Sequence, residues 1–209
     1  MNATPRALLE RGLDALALSL DQARVEALLD YLGLLQKWNR AFNLTAVREP
    51  REMVVRHLLD SLAVRSWFDA PRTLDIGSGA GLPGIPLAIA CPESRFDLLD
   101  SNGKKIRFMR QAVNQLGLDN VEVIQSRIEA WRPPALAYDR ITSRAFASLP
   151  DIVDAGAPLL RAGGKIVALK GRLRADELAA VPDGYRARAE PIEVPGLNAA
   201  RHVIIIERT

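Results

Sequence analysis

One cysteine in 209 residues, Cys91, excludes an internal disulfide framework, and two histidines leave little from which to build a zinc site. Aromatic residues reach only 5%, so aliphatic side chains must fill the core. No apolar run is long enough for a membrane span. The opening MNATPRALLERGLDAL is interrupted by charge every few residues, which points away from a signal peptide and toward a soluble cytoplasmic protein. Repeats, low-complexity stretches and flexible linkers are also missing.

Hydrophobic residues make up 48% and charged residues 25%, a balance that supports a buried core and excludes global disorder. The length fits one large domain or a domain with a small appendage. The net charge is only +3, but its distribution is uneven: residues 1–70 carry nine basic and nine acidic groups, whereas residues 100–174 carry thirteen basic and seven acidic. Of the 28 cations, 23 are arginine, whose guanidinium grips phosphate bidentately and stacks on bases. This permits an RNA-facing surface and equally describes a chain that uses arginine for every cation.

Residues 5–18 read as a short helix entered at Pro5. From Asp21 the apolar positions Val25, Leu28, Leu29, Leu32, Leu35 and Trp38 recur at helical spacing and predict a long amphipathic helix. Pro50 suits the first turn of a third helix, with Met53, Val54, His57, Leu58, Leu62 and Val64 as its apolar stripe. Residues 1–68 are therefore expected to be a helical extension, with a turn around Phe42–Thr45. From residue 69 the pattern changes. Strands are predicted at 73–76, 95–99, 121–124, 140–143 and 165–169, alternating with helices near 83–90, 103–116, 148–160 and 173–180. Two further strand-like runs, 185–194 and 202–207, lack a helix between them. The expectation is a Rossmann-like α/β domain over 69–209. Its seven-stranded sheet is mostly parallel, closed by an antiparallel C-terminal hairpin, and packs with the helical extension as one unit.

The segment DIGSGAGLPGIP, Asp75 through Pro86, follows the first strand and opens the next helix. Glycines there let backbone amides approach a ligand, and the helix start favours a carboxylate or phosphate. Gly79, Gly81 and Gly84 form a G-x-G-x-x-G, so a dinucleotide has to be considered. Asp75, two residues before Gly77, would sit poorly beside a pyrophosphate but suits a cationic amine. The frame Gly77, Gly79, Gly81 is the one typical of S-adenosylmethionine (SAM) methyltransferases. Asp100, at the tip of the second strand, can accept from both ribose hydroxyls, which SAM and NAD share. After the third strand, Ser126–Glu129 falls where such folds frame an adenine.

Candidate acceptors are narrowed by what is missing. Amino-group methylation of bases commonly uses an [D/N/S]-P-P-[Y/F] tetrad after the fourth strand, where this chain has ITSRAF (141–146), and Pro133-Pro134 lacks the flanking residues. Carbon-5 methylation needs a cysteine nucleophile, and Cys91 reads as a small core residue. Guanine N7 presents an unprotonated lone pair, so it needs alignment and desolvation but no general base.

The chain resembles, nearly end to end, the RsmG (GidB) family of bacterial small-subunit ribosomal RNA guanine-N7 methyltransferases. The resemblance is carried by KWNRAFNLTA (37–46), RHLLDSL (56–62), DIGSGAGLPGIP (75–86), DSNGKKIRF (100–108), SRAFA (143–147) and GGKIVALKG (163–171). It implies a SAM-dependent methyltransferase fold and methylation of N7 of one guanine in the decoding-region loop of 16S ribosomal RNA, free or within the small subunit or an assembly intermediate. It also implies that Gly77, Leu82, Ile128, Glu129 and Arg144 line the SAM site beside Asp75, Gly79 and Asp100. Asn43, His57, Arg127 and Lys170 match polar positions near the cofactor or RNA.

Arg144 is expected at the carboxyl edge of the sheet, in reach of the SAM carboxylate or guanine O6, as an aligning group without a general base. Lys170, ending the fifth strand, is expected to meet a phosphate, His57 to be a packed core histidine and His202 to be structural. A monomer without a metal is expected. A nicotinamide oxidoreductase, a small-molecule methyltransferase and a non-catalytic RNA-binding or ribosome assembly factor with a retained SAM pocket are the competing readings.

Overall fold

The computed structural model describes residues 3–133, 138–144 and 148–209. Helix α1 (Pro5–Ala15) starts at the Thr4 cap with proline in its first turn, and α2 (Gln22–Phe42) starts at Asp21, whose Oδ1 accepts from Arg24 N at 2.9 Å. Asn43, at φ 50°, ends α2 in the left-handed conformation that a short polar side chain tolerates. The third helix departs from the expected regular helix: α3 (Pro50–Met53) widens into a π-helical turn (Val54–Leu59), continues as α4 (Asp60–Leu62) and ends in a 3-10 turn (Arg65–Phe68). Residues 57–62 are all buried, because this segment is covered on more than one side, so a simple amphipathic stripe does not describe it.

The sheet has the order β3-β2-β1-β4-β5-β7-β6. Its strands are β1 (Arg72–Ile76), β2 (Arg95–Asp100), β3 (Val121–Gln125), β4 (Tyr138–Ser143), β5 (Leu160–Lys170), β6 (Tyr185–Pro191) and β7 (His202–Arg208). Strands β1 to β5 pair in parallel, and β7 adds antiparallel to β5 and to β6. The expected strands are all present. The predicted 148–160 helix is shorter, α7 (Leu149–Gly156) plus a 3-10 turn (Ala157–Leu159), because β5 begins at Leu160. Its first residue pairs with Tyr138, and a register shift, with Gly163 at φ 76°, precedes the regular pairing from Lys165. Helices α5 (Gly84–Ala90), α6 (Gly103–Leu116) and α8 (Ala175–Ala179) complete the chain.

Strand side chains alternate between two apolar layers. Val167, Leu169, Val203 and Ile205 join α2, α5, α6 and the helical extension on one face. Ile166, Ala168, Ile204 and Ile206 join α7 on the other. Strand β1 pairs with β2 on one side and β4 on the other, so the order reverses there. The crevice beyond the carboxyl ends of β1 and β4 is the ligand position of open α/β sheets.

Candidate cofactor site

The turn after β1 is held in a shape only glycine accommodates at three places: Gly77, Gly79 and Gly81 have φ of 69°, 63° and 81°. The amides of Gly77 and Ser78 donate to Leu99 O at 2.8 and 3.1 Å, and Gly79 N donates to Asp100 Oδ2 at 2.9 Å, tying the turn to the end of β2. A side chain at Gly77 would point into open space, as a ligand-facing backbone requires, whereas Gly84 serves packing. A Cβ there would lie 2.2 Å from Leu98 Cδ2 and 2.9 Å from Asp75 Oδ2. The three left-handed glycines are thus those of the 77-79-81 frame, and the Gly84 of the dinucleotide-type reading is a helix–strand contact.

Asp75 is fully buried; its Oδ2 accepts from Gly84 N at 3.1 Å and its Oδ1 has no hydrogen-bond partner among the described residues. Burial pushes its pKa up to about 7, against the pull of the Gly84 amide and the Arg144 charge. Asp100 is 5% exposed. Its Oδ1 accepts from Asn102 N at 2.8 Å and its Oδ2 from Gly79 N, with Lys105 Nζ at 3.4 Å. A carboxylate offers about four acceptor positions. One remains open here, and a second is held only by the long lysine contact, so the pair of hydroxyls on a ribose fits once Lys105 moves aside.

Arg144, just past β4, faces a group that sequence reasoning did not single out. Asp60, from α4, is 5% exposed and lies 3.7 Å from Arg144 Nη2 and 2.8 Å from Nε of Arg201. Arg144 Nη1 is buried without a hydrogen-bond partner among the described residues. Asp60, Arg144, Lys170 and Arg201 line a small polar cavity of about 170 Å³. Lys170 pairs with Glu177, so it reaches this edge already neutralised by an acid rather than as the free cation expected.

The helical extension supplies more of the wall. The Tyr31 hydroxyl donates to Ala80 O at 2.6 Å, fastening α2 to the glycine turn. Asn39 shapes the segment after α2, donating to Val47 O and accepting from Thr45 N, and Thr45 Oγ1 lies 3.0 Å from His57 Nε2. Burial pushes the pKa of His57 down to about 4, with the nearby Arg144 charge acting the same way, so the ring is neutral at physiological pH. His57 is thus the packed histidine expected, although it faces the site.

Ile128 and Leu82 are buried and Glu129 and Arg127 exposed, the first and last two together on and before the 3-10 turn Ile128–Ala130. Asn43 is exposed and accepts from Arg48 at 2.8 Å. His202 Nδ1 sits 2.7 Å from Gly171 O, a structural contact. Residues Ala145–Ala147 of the SRAFA segment and Pro134 lie outside the described residues. Asp60 was legible only inside RHLLDSL, Tyr31 only as an apolar-stripe position, and Arg201 had no local signal at all.

A 3-2-1-4-5-7-6 sheet with a glycine turn, a strand-end acid and an arginine at its reversal point is the architecture of the SAM-dependent methyltransferases. Solved structures share that fold. SibL, a SAM-dependent methyltransferase, matches with a TM-score of 0.59 at 15% identity over 98% of this chain and 74% of its own. TrmN from Thermus thermophilus matches with a TM-score of 0.58 at 22% identity over 82% of this chain and 53% of its own. The chain belongs to the GidB family, rRNA small subunit methyltransferase G, whose model matches residues 24–204. Ribosomal RNA small subunit methyltransferase G of Xanthomonas axonopodis pv. citri (strain 306) is 50% identical over 97% of this chain and 94% of its own length. That of Nitrosococcus oceani is 48% identical over 98% and 95%. The molecule is therefore a ribosomal RNA methyltransferase.

Proposed function

We propose that this chain transfers a methyl group from SAM to N7 of one guanine in the decoding-region loop of 16S ribosomal RNA. It acts as a cytoplasmic monomer on the small subunit or an assembly intermediate. The observation that carries the reading is the convergence, at the sheet reversal, of the left-handed glycine turn, the partly open Asp100 carboxylate and Arg144, with no group among the described residues disposed to act as a general base. His57 is neutral but packed against Thr45, and Asp75 is buried with Oδ2 held by the Gly84 amide, which leaves its Oδ1 for the cofactor's amine.

The residues present fit the cofactor. Gly77 opens toward the crevice, Asp75 Oδ1 and Arg144 Nη1 are interior polar atoms without partners among the described residues, and Leu82 and Ile128 offer apolar walls. In this reading Asp75, Gly77 and Gly79 hold the amino-acid end, with the Asp75 carboxylate facing the amine. Asp100 takes the ribose hydroxyls, and Ile128 with Glu129 frames the adenine. SAM supplies an electrophilic methyl group on a sulfonium. Guanine N7 already exposes a lone pair, so the chain's work is alignment and exclusion of water, where positioning is worth several kcal/mol of barrier, on the order of 7–11 at the extreme. Arg144 donates toward guanine O6 or the SAM carboxylate; a donor aimed at N7 would block the nucleophile. Asn43, His57, Arg127 and Lys170 border the RNA side.

The test is a nucleoside map of 16S ribosomal RNA from cells with and without the gene, joined to methyl transfer by purified protein. An N7-methylguanine lost with the gene and restored by the protein is the expected result. Its persistence without the gene would overturn the assignment.

A further inference from the structure

Three aromatic rings climb from the core to the surface at the carboxyl end of α2. Phe108 of α6 is fully buried, Trp38 packs edge-on against it at 5.8 Å between centroids, and Phe42 lies one helical turn further, 5.0 Å from Trp38 at an interplanar angle of 35°. Phe42 is 39% exposed, the one exposed large hydrophobic side chain among the described residues. Around it in the chain Lys37, Arg40 and Arg48 are exposed cations, with Glu49 as the opposing charge, and Arg48 is folded back onto Asn43, the next residue after the ring. Thr45, which meets His57 in the site wall, follows three residues later, about 10 Å at full extension.

We propose that Phe42 is a stacking platform for an unpaired nucleobase of the RNA substrate. This rests on the proposed RNA-methylating function and adds where the chain grips the RNA outside the cofactor crevice. The ring is braced from below by two others, so little side-chain freedom remains to be lost when a fourth ring joins the stack. Every base offers a π-face, and Arg48 on the adjoining Asn43, with the exposed Lys37 and Arg40 along the same helix end, suits the phosphates that accompany one. An apolar protein partner would cover Phe42 equally well but gives no role to Arg48, which is held on the adjoining Asn43, or to the exposed Lys37 and Arg40 of the same helix end.

The experiment compares Phe42→Leu and Phe42→Trp in the full chain, with unmethylated 16S ribosomal RNA, naked and in small subunits, as substrate. Phe42→Leu should raise KM for RNA about five- to a hundredfold. KM for SAM, and kcat at saturating RNA, should stay at wild-type values. Phe42→Trp should retain tight binding, and its emission should be quenched on RNA addition. Wild-type KM for RNA in Phe42→Leu, or equal impairment of both variants, overturns the proposal. So does a wild-type dimer that Phe42→Leu dissolves, which would give the ring to a second copy of the chain. Failure of the underlying function would already appear in the wild type, as SAM binding without methylation of any ribosomal RNA.

Discussion

Asp100 shows how a single carboxylate serves two ends. Its accepted hydrogen bonds from Gly79 N and Asn102 N pin the glycine turn to β2, and its remaining acceptor capacity is what the proposed ribose contact uses. Replacing it with alanine should weaken SAM binding by roughly 1–3 kcal/mol, the cost of unpairing a buried hydroxyl pair. Calorimetric titration measures this directly, and wild-type affinity would remove Asp100 from the ribose contact. Arg144 poses a different question, because its only ion pair among the described residues is supplied by the helical extension. Asp60 sits between two guanidiniums, so its loss frees both to reorient. Arg144→Ala should lower methyl transfer at least ~10-fold with the fold intact, a loss of about 1.4 kcal/mol of transition-state stabilisation. Asp60→Asn, which keeps shape but drops the charge, should lower kcat in the same direction. Full activity in Asp60→Asn would show that Arg144 needs no anchor.

The glycine turn is an element whose chemistry is spread over two strands and a helix. Gly84 marks where α5 descends closest to β1 and β2, and a methyl group there has only Leu98 and Asp75 to displace. Gly84→Ala should therefore reduce Tm by several degrees, as overpacking costs about 1–3 kcal/mol, and weaken SAM binding by shifting the Asp75 end of the turn. A variant with wild-type Tm and affinity would show that α5 shifts freely. The elements of this region were readable in advance because each is bounded by its own local signal: proline and Asp21 caps for helices, apolar runs for strands, glycines for the turn. The stretch from Val54 to Leu62 was not, since a π-helical turn arises from burial on several sides, and periodicity describes one buried face. The site divides likewise. Asp75 and the glycines lie in one contiguous motif, and Asp100 ends the next strand. The Asp60–Arg144–Arg201 group joins residues 141 positions apart, which no local pattern records.

The helical extension and the sheet share one apolar layer, in which Leu9, Leu28, Tyr31 and Leu59 pack with Phe96, Leu98, Val167 and Ile205. The proposed cofactor wall spans the same seam, through Tyr31 on Ala80 and through His57 and Asp60 beside Arg144. Unfolding should accordingly be one cooperative transition, with no separate melting of residues 1–68. The pH dependence of that transition reports the seam. His57 has a folded pKa of about 4 against an ordinary value of 6.5, so between these values the unfolded chain binds more protons and stability rises with pH. Asp75, with a folded pKa of about 7 against 3.8, acts in the opposite sense: the folded state holds the extra proton, and stability falls as pH rises from about 4 to 7. The two contributions largely offset one another in the wild type. His57→Gln removes only the first. As pH is lowered from 6.5 to 4, the variant should gain stability relative to the wild type by on the order of 3 kcal/mol. Thermal or urea unfolding at several pH values measures the difference. Parallel profiles for the two proteins would mean that His57 is not held neutral by its packing against the site, and two resolved transitions would mean that the extension and the sheet do not share a core.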